Sequence, residues 1–213
     1  MELSINIILV IITVLVSIGA FRSEKMVDDL IFYPPAITER QQWYRFFTCG
    51  LIHADAAHLI FNMLALYMFG RFVEEGFSEI FGANGRWVYL LMYISALFVS
   101  LLPTYLQHRN SYHYRSLGAS GAVSAVVFAF ILLYPLEKLG FFIIPPIIPG
   151  FLFGPIYLLI SAYLDRKGGD NINHSAHILG AVYGLAFTII GGYLVGFPVL
   201  ELFIEKVKSF FGS

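Results

Sequence analysis

Hydrophobic positions in this chain fall in six long runs separated by short polar stretches. About 20 apolar residues at 1.5 Å rise cross a 30 Å hydrocarbon core. The runs predict membrane-crossing helices at about 3–21, 56–72, 87–106, 117–136, 150–164 and 175–195. The first carries no charge from Leu3 to Phe21, lacks a basic segment before it and has no small-residue cleavage site after it. It therefore reads as a retained helix rather than a signal peptide. Arg71, Glu74 and Glu75 mark the exit of the second, and Pro145, Pro146, Pro149 and Pro155 cut into the fifth. A long polar loop, Arg22 to about Asp55, joins the first two helices. Residues 198–213 alternate Leu202, Phe203 and Phe210 with Glu201, Glu205, Lys206 and Lys208, which predicts an amphipathic tail lying on the membrane surface.

Composition agrees. Of 213 residues 58% are hydrophobic and only 13% charged, against about 25% charged in soluble domains. A disordered chain, a coiled coil and a nucleic-acid binder are excluded, and a soluble globular domain is disfavoured. Net charge −1 implies no strongly charged partner. The single cysteine, Cys49, excludes a disulfide framework and a cysteine-only metal site. The class that remains is an all-α polytopic membrane protein forming one bundle, with the lipid bilayer as its first partner.

Six crossings place the first, third and fifth loops on one side, with eight Lys and Arg there against five on the other. The positive-inside rule taken literally puts the first loop in the cytoplasm. Half of the eight come from that long loop, which is expected to fold and use Arg45 internally.

Polar groups inside a membrane are costly and mark function. Helices two, four and six all start on the same side. His58 and Asn62 lie in the first turns of helix two, Ser120 in that of helix four and His177 in that of helix six, all within roughly 5–10 Å of one membrane face. Taken singly, His58 and Asn62 read as interhelical glue. Gly118-Ala119-Ser120-Gly121 alone reads as a packing surface, continued by Ala125 and Ala129 and matched by Gly180 and Gly184. Together they shift the balance. Close packing of the small faces sets Ser120 and His177 at one depth, a nucleophile and a base. His58 and Asn62 add donors for an oxyanion. Asp55 and Asp170 are loop residues, so a dyad is more economical than a triad.

These residues resemble the rhomboid intramembrane serine proteases. The likeness covers about Gln42 to Gly184. An H-x4-H-x3-N pattern stands as His53, His58 and Asn62; a G-x-S-G as Gly118 to Gly121; and an A-H-x-x-G-x-x-x-G as Ala176, His177, Gly180 and Gly184. An aromatic–Arg pair in the first loop stands as Tyr44-Arg45, where Trp-Arg is more usual. The resemblance implies a six-transmembrane-helix rhomboid-like bundle and a Ser120–His177 dyad that cleaves transmembrane protein substrates at the outer boundary of the cell membrane. It assigns oxyanion contacts to His58, Asn62 and the backbone N–H of Ser120, and gives His53 a place at a water-accessible entry. Arg45, Gly118, Gly121 and Gly180 are supporting residues. No metal or cofactor is implied. Many members carry an aromatic residue four positions after the serine, and here Ser124 stands there. Two other readings compete: a catalytically silent membrane-protein binding module, and a metal site built from His53, His58, His174 and His177, which chelation would test.

Overall fold

The amino-terminal helix, α1 (Ile5–Ala20), turns Ile11, Ile12, Leu15 and Ile18 outward and Asn6, Thr13 and Ser17 inward. This polarity is the reverse of a helix facing water. It suits a lipid surround, where apolar side chains need no burial and polar ones must find partners inside. The computed structural model describes residues 4–140, 146–169 and 172–212. After α1 come three short helices, α2 (Glu24–Leu30), α3 (Pro34–Arg40) and α4 (Arg45–Thr48). The long helices α5 (Ala56–Phe81), α6 (Gly85–His108), α7 (Ser120–Leu133), α8 (Gly150–Lys167) and α9 (His174–Leu194) follow, and then α10 (Val199–Phe211). Two residue pairs, β1 (Lys138–Leu139) and β2 (Ile148–Pro149), form an antiparallel ribbon before α8. The protein is an all-α, polytopic membrane bundle built from α1, α5, α6, α7, α8 and α9.

At the centre stands α7, apolar on every side and buried from Gly121 to Leu132 with the exception of Val127. Its closest neighbour is α9. A Cβ on Gly180 would lie 2.0 Å from the Gly121 carbonyl oxygen, and one on Gly184 would lie 2.2 Å from that of Ala125. The two backbones touch because these positions carry no side chain.

Two helices depart from the sequence expectation. α5 does not stop at 72 but runs to Phe81. Its 26 residues rise about 39 Å, so the charges expected to end it sit near the membrane boundary while the helix continues. Arg71 and Glu75 pair on the exposed side. Glu74 turns inward, where its carboxylate accepts from Ser4 Oγ and from the backbone N–H groups of Ile5 and Asn6, capping α1. In the other direction, α7 occupies Ser120–Leu133 rather than 117–136. Gly118, at φ +110°, breaks the helix on one side and Pro135 stops it on the other. Its 14 residues rise only about 21 Å. The chain therefore reaches Ser120 through irregular backbone that descends into the bundle, which is tolerated at that depth where it lines a cavity.

The remaining helices agree with expectation to within a few residues. Pro155 lies inside α8. Pro145, and Asp170 in the fifth loop, fall outside the described residues.

The first loop is largely helical rather than open polar chain. Buried Arg45 donates from Nη1 to the carbonyls of Asp28 and Ile31 at 2.8 and 2.7 Å, and from Nε to Gln42 Oε1. Thr48 Oγ1 donates to Leu30 O. The last carbonyls of α2, which have no partner within their own helix, are thus satisfied by side chains of α4. Phe32 and Ser116 exchange backbone hydrogen bonds, tying this loop to the strand of chain leading to Ser120.

Candidate active site

α5 begins at an Asp55 N-cap, whose Oδ1 accepts from His58 N at 2.8 Å. That cap sets His58 and Asn62 one above the other on the same face. His58 Nδ1 accepts a long, 3.5 Å hydrogen bond from Ala54 N, which leaves the proton of the neutral ring on Nε2. This nitrogen faces Gly118, where a Cβ would lie 2.8 Å from it. Glycine at 118 thus serves the backbone turn and the close approach of the ring at once. Asn62 is 7% exposed, and its Nδ2 donates to His58 O at 3.0 Å. Of the two amide hydrogens, one is used there.

α9 begins at Asn173. Its Oδ1 accepts from Ala176 N at 3.0 Å, while Nδ2 donates to Thr104 Oγ1 of α6 and Tyr114 Oη of the third loop. This residue, which the sequence reading passed over, fixes where α9 starts and hence the height of His177. Asn ahead of a helical run is a recognisable N-cap signal. His177 Nδ1 lies 3.3 Å from Tyr157 Oη of α8, and the same hydroxyl lies 3.2 Å from Ser124 Oγ. Tyr157 was also missed, because a tyrosine in an apolar run carries no local mark of its partner.

Ser120 is the first residue of α7, where the leading N–H groups have no carbonyl partner within the helix. Two cavities meet at it. One, of about 630 Å³, opens under the first and third loops and is bordered by Asp55, His58, Arg115, Gly118, Ser120, Asn173 and His177. The other, of about 510 Å³, is an apolar groove between α5, α7 and α8, walled by Leu64, Met68, Val123, Val127, Phe128, Phe153 and Tyr157. Phe61, Asn62, Ser120 and His177 border both.

Gly121 and Gly180 are packing positions here. A Cβ on Gly121 would strike Ser100 Oγ of α6 at 2.3 Å. His53 is 3% exposed and borders neither cavity. Its Nδ1 lies 3.0 Å from Ser17 Oγ of α1, and its ring stands edge-on behind His58, with centroids 4.9 Å apart. It thus backs His58 rather than shaping an entry. Burial, then the neighbouring His58, pulls its pKa down to about 4, against a smaller upward pull from Asp55. Arg45 likewise borders neither cavity and acts within the first loop.

A model of the rhomboid domain family matches residues 40–194. The mitochondrial RHOMBOID-like protein 12 of Arabidopsis thaliana is 34% identical over 146 residues, 63% of this chain and 42% of that protein. The rhomboid protein YdcA of Bacillus subtilis is 28% identical over 162 residues, 75% of this chain and 69% of that one. The chloroplastic Rhomboid-like protein 11 of Arabidopsis thaliana is 33% identical over 186 residues, 78% and 58% of the two. The chain thus spans between 42% and 69% of the length of these relatives.

Proposed function

Because the chain belongs to the rhomboid family, we propose that it is an intramembrane serine endopeptidase in which Ser120 is the nucleophile and His177 the base. The observation that carries this reading is the shared wall. Ser120, His177 and Asn62 border both a cavity under the loops, into whose lining Asp55, His58, Arg115 and Asn173 bring polar groups, and an apolar groove between helices. The groove suits an apolar transmembrane segment and the cavity supplies water. The scissile segment must arrive unwound, since helical carbonyls are held in hydrogen bonds. We take α8, which walls the groove through Phe153 and Tyr157, as the side of the entrance that opens.

In this mechanism neutral His177 takes the Ser120 hydroxyl proton as Oγ bonds to the scissile carbonyl carbon. The charge that develops on the carbonyl oxygen meets the Nε2–H of His58, the second Nδ2–H of Asn62 and the N–H of Ser120. Imidazolium His177 returns the proton to the leaving amine. Water from the larger cavity then hydrolyses the acyl-enzyme, with His177 again the base. A neutral histidine suffices as base, so the membrane interior need not hold a third, ionised residue. The active face is assigned to the outer side of a cell membrane, and the substrates to membrane proteins.

The test is covalent labelling of the purified protein with a fluorophosphonate. Labelling and peptide cleavage should both disappear in Ser120→Ala, and cleavage in His177→Ala. Undiminished labelling of Ser120→Ala would assign the nucleophile elsewhere. No labelling of the unaltered chain would favour a binding module.

A further inference from the structure

Tyr157 projects from α8 toward the Nδ1 edge of His177. Its ring is seated between Phe128 of α7 and Phe153 of α8, with centroids 5.7 and 6.2 Å away. Its hydroxyl lies 3.3 Å from His177 Nδ1 and 3.2 Å from Ser124 Oγ. We propose that Tyr157 is a positioning residue for His177, holding the imidazole in the tautomer that can accept the Ser120 proton. This rests on the protease reading above.

Hydrogen counting fixes the tautomer. A phenol has one hydrogen to give and lone pairs to receive. For His177 to act as base, Nε2 must carry a lone pair, so its hydrogen sits on Nδ1. That Nδ1–H donates to Tyr157 Oη, and the phenolic hydrogen goes on to a serine hydroxyl, Ser124 Oγ or that of Ser161 one turn along α8, both of which hydrogen-bond the phenol. With a serine accepting, the chain runs in one direction, Nδ1–H to Oη–H to Oγ. The opposite direction would place the imidazole hydrogen on Nε2 and leave His177 unable to take a proton. Tyr157 and Ser124 together thus do, without charge, the orienting work of the carboxylate in a triad. A neutral pair avoids the desolvation cost of an ionised acid at this depth. Since Tyr157 stands on α8, the orientation of the base follows the position of that helix.

The test compares the unaltered 213-residue chain with Tyr157→Phe and Ser124→Ala in proteoliposomes. Readouts are kcat and KM for a transmembrane peptide against pH, melting temperature, and ring-15N NMR of His177 assigned with His177→Gln. Among the described residues, the other ionisable or charged groups around His177 are His174 on α9, Asp55, His58 and Arg115 around the cavity, and Lys138 at the groove; all are unchanged in both variants. Tyr157→Phe removes only the hydroxyl. It should lower kcat roughly three- to ten-fold, the population factor that one ordinary hydrogen bond sets between two tautomers. KM should change little. The acid limb of kcat should move to lower pH, because the imidazolium loses an acceptor for its Nδ1–H. The NMR should show the neutral ring redistributing its hydrogen toward Nε2, and Ser124→Ala should do the same more weakly. Unchanged kcat, or a fall in kcat with unmoved acid limb and unchanged nitrogen shifts, would overturn the positioning role. If the unaltered chain shows no Ser120-dependent turnover, the protease reading falls, and the nitrogen shifts still decide whether Tyr157 holds Nδ1–H.

Discussion

Gly180 offers the most direct test of how packing sets the chemistry. It stands on α9 three residues after His177, against Gly121, the residue next to Ser120. A Cβ there would lie 2.0 Å from the Gly121 carbonyl oxygen, 2.8 Å from its carbonyl carbon and 3.1 Å from its Cα, where real Cβ contacts essentially never fall below 3.0 Å. All three atoms are backbone, so no rotamer relieves the clash. In Gly180→Ala the helices must part by about 1 Å at this level, an overpacking that costs about 1–3 kcal/mol of stability. The same displacement separates Ser120 from His177. A misplacement of about 1 Å at a reacting centre costs on the order of 10² in rate, or about 2.7 kcal/mol of barrier. Turnover of a transmembrane peptide, the rate of fluorophosphonate acylation and the melting temperature should be measured together in detergent. Gly191→Ala is the control: a Cβ there meets only the tip of the Phe81 ring, at 3.0 Å, which can swing aside. Gly180→Ala should lose about two decades in kcat while Gly191→Ala stays near the parent. Parental turnover and melting temperature in Gly180→Ala, or equal losses in the two variants, would refute the reasoning.

Asn62→Ala should lower kcat by on the order of 10² with little change in KM; a drop in melting temperature with unchanged kcat would leave Asn62 only its bond to His58 O. Glu74→Ala should cost about 2 kcal/mol, because α1 loses its capping carboxylate, while turnover of the folded fraction persists at the far end of α5; an unchanged melting temperature would refute the cap. For His53, burial lowers the folded-state pKa from 6.5 to about 4, so on acidification the unfolded chain takes the proton first. Its contribution is complete above about pH 6.5 and is lost as pH falls toward about 4, about 3 kcal/mol in all. His53→Gln should flatten the acid limb of melting temperature against pH, and an identical limb in the variant would refute this. In a Cys49→Ser background, a cysteine at Asn110 should react with a membrane-impermeant thiol reagent in intact cells and one at Asn84 should not; the reverse pattern would invert the topology.

Much of this arrangement was legible as residue order. Long apolar runs dictate membrane helices because 1.5 Å per residue must span the hydrocarbon core. Alternating helix direction then brings the starts of α5, α7 and α9 to one side, and with them His58, Asn62, Ser120 and His177. Small residues at spacing four on α7 and α9 announced the backbone contact that Gly180 and Gly184 make. Charges near 71–75 misled, because a carboxylate that ends one run in sequence can cap another helix in space, as Glu74 does for α1.

Partners at long sequence separation were settled by the tertiary structure alone. The contact of Tyr157 with His177 spans 20 residues and two helices, and that of Asn173 with Thr104 spans 69. A side chain's period along its own helix says which face it occupies. Which foreign group stands opposite depends on helix rotation and height, which are set by the summed packing of all the neighbours. That sum decided that His53 backs His58 against α1, and that a helix at the edge of the bundle supplies the hydroxyl beside His177.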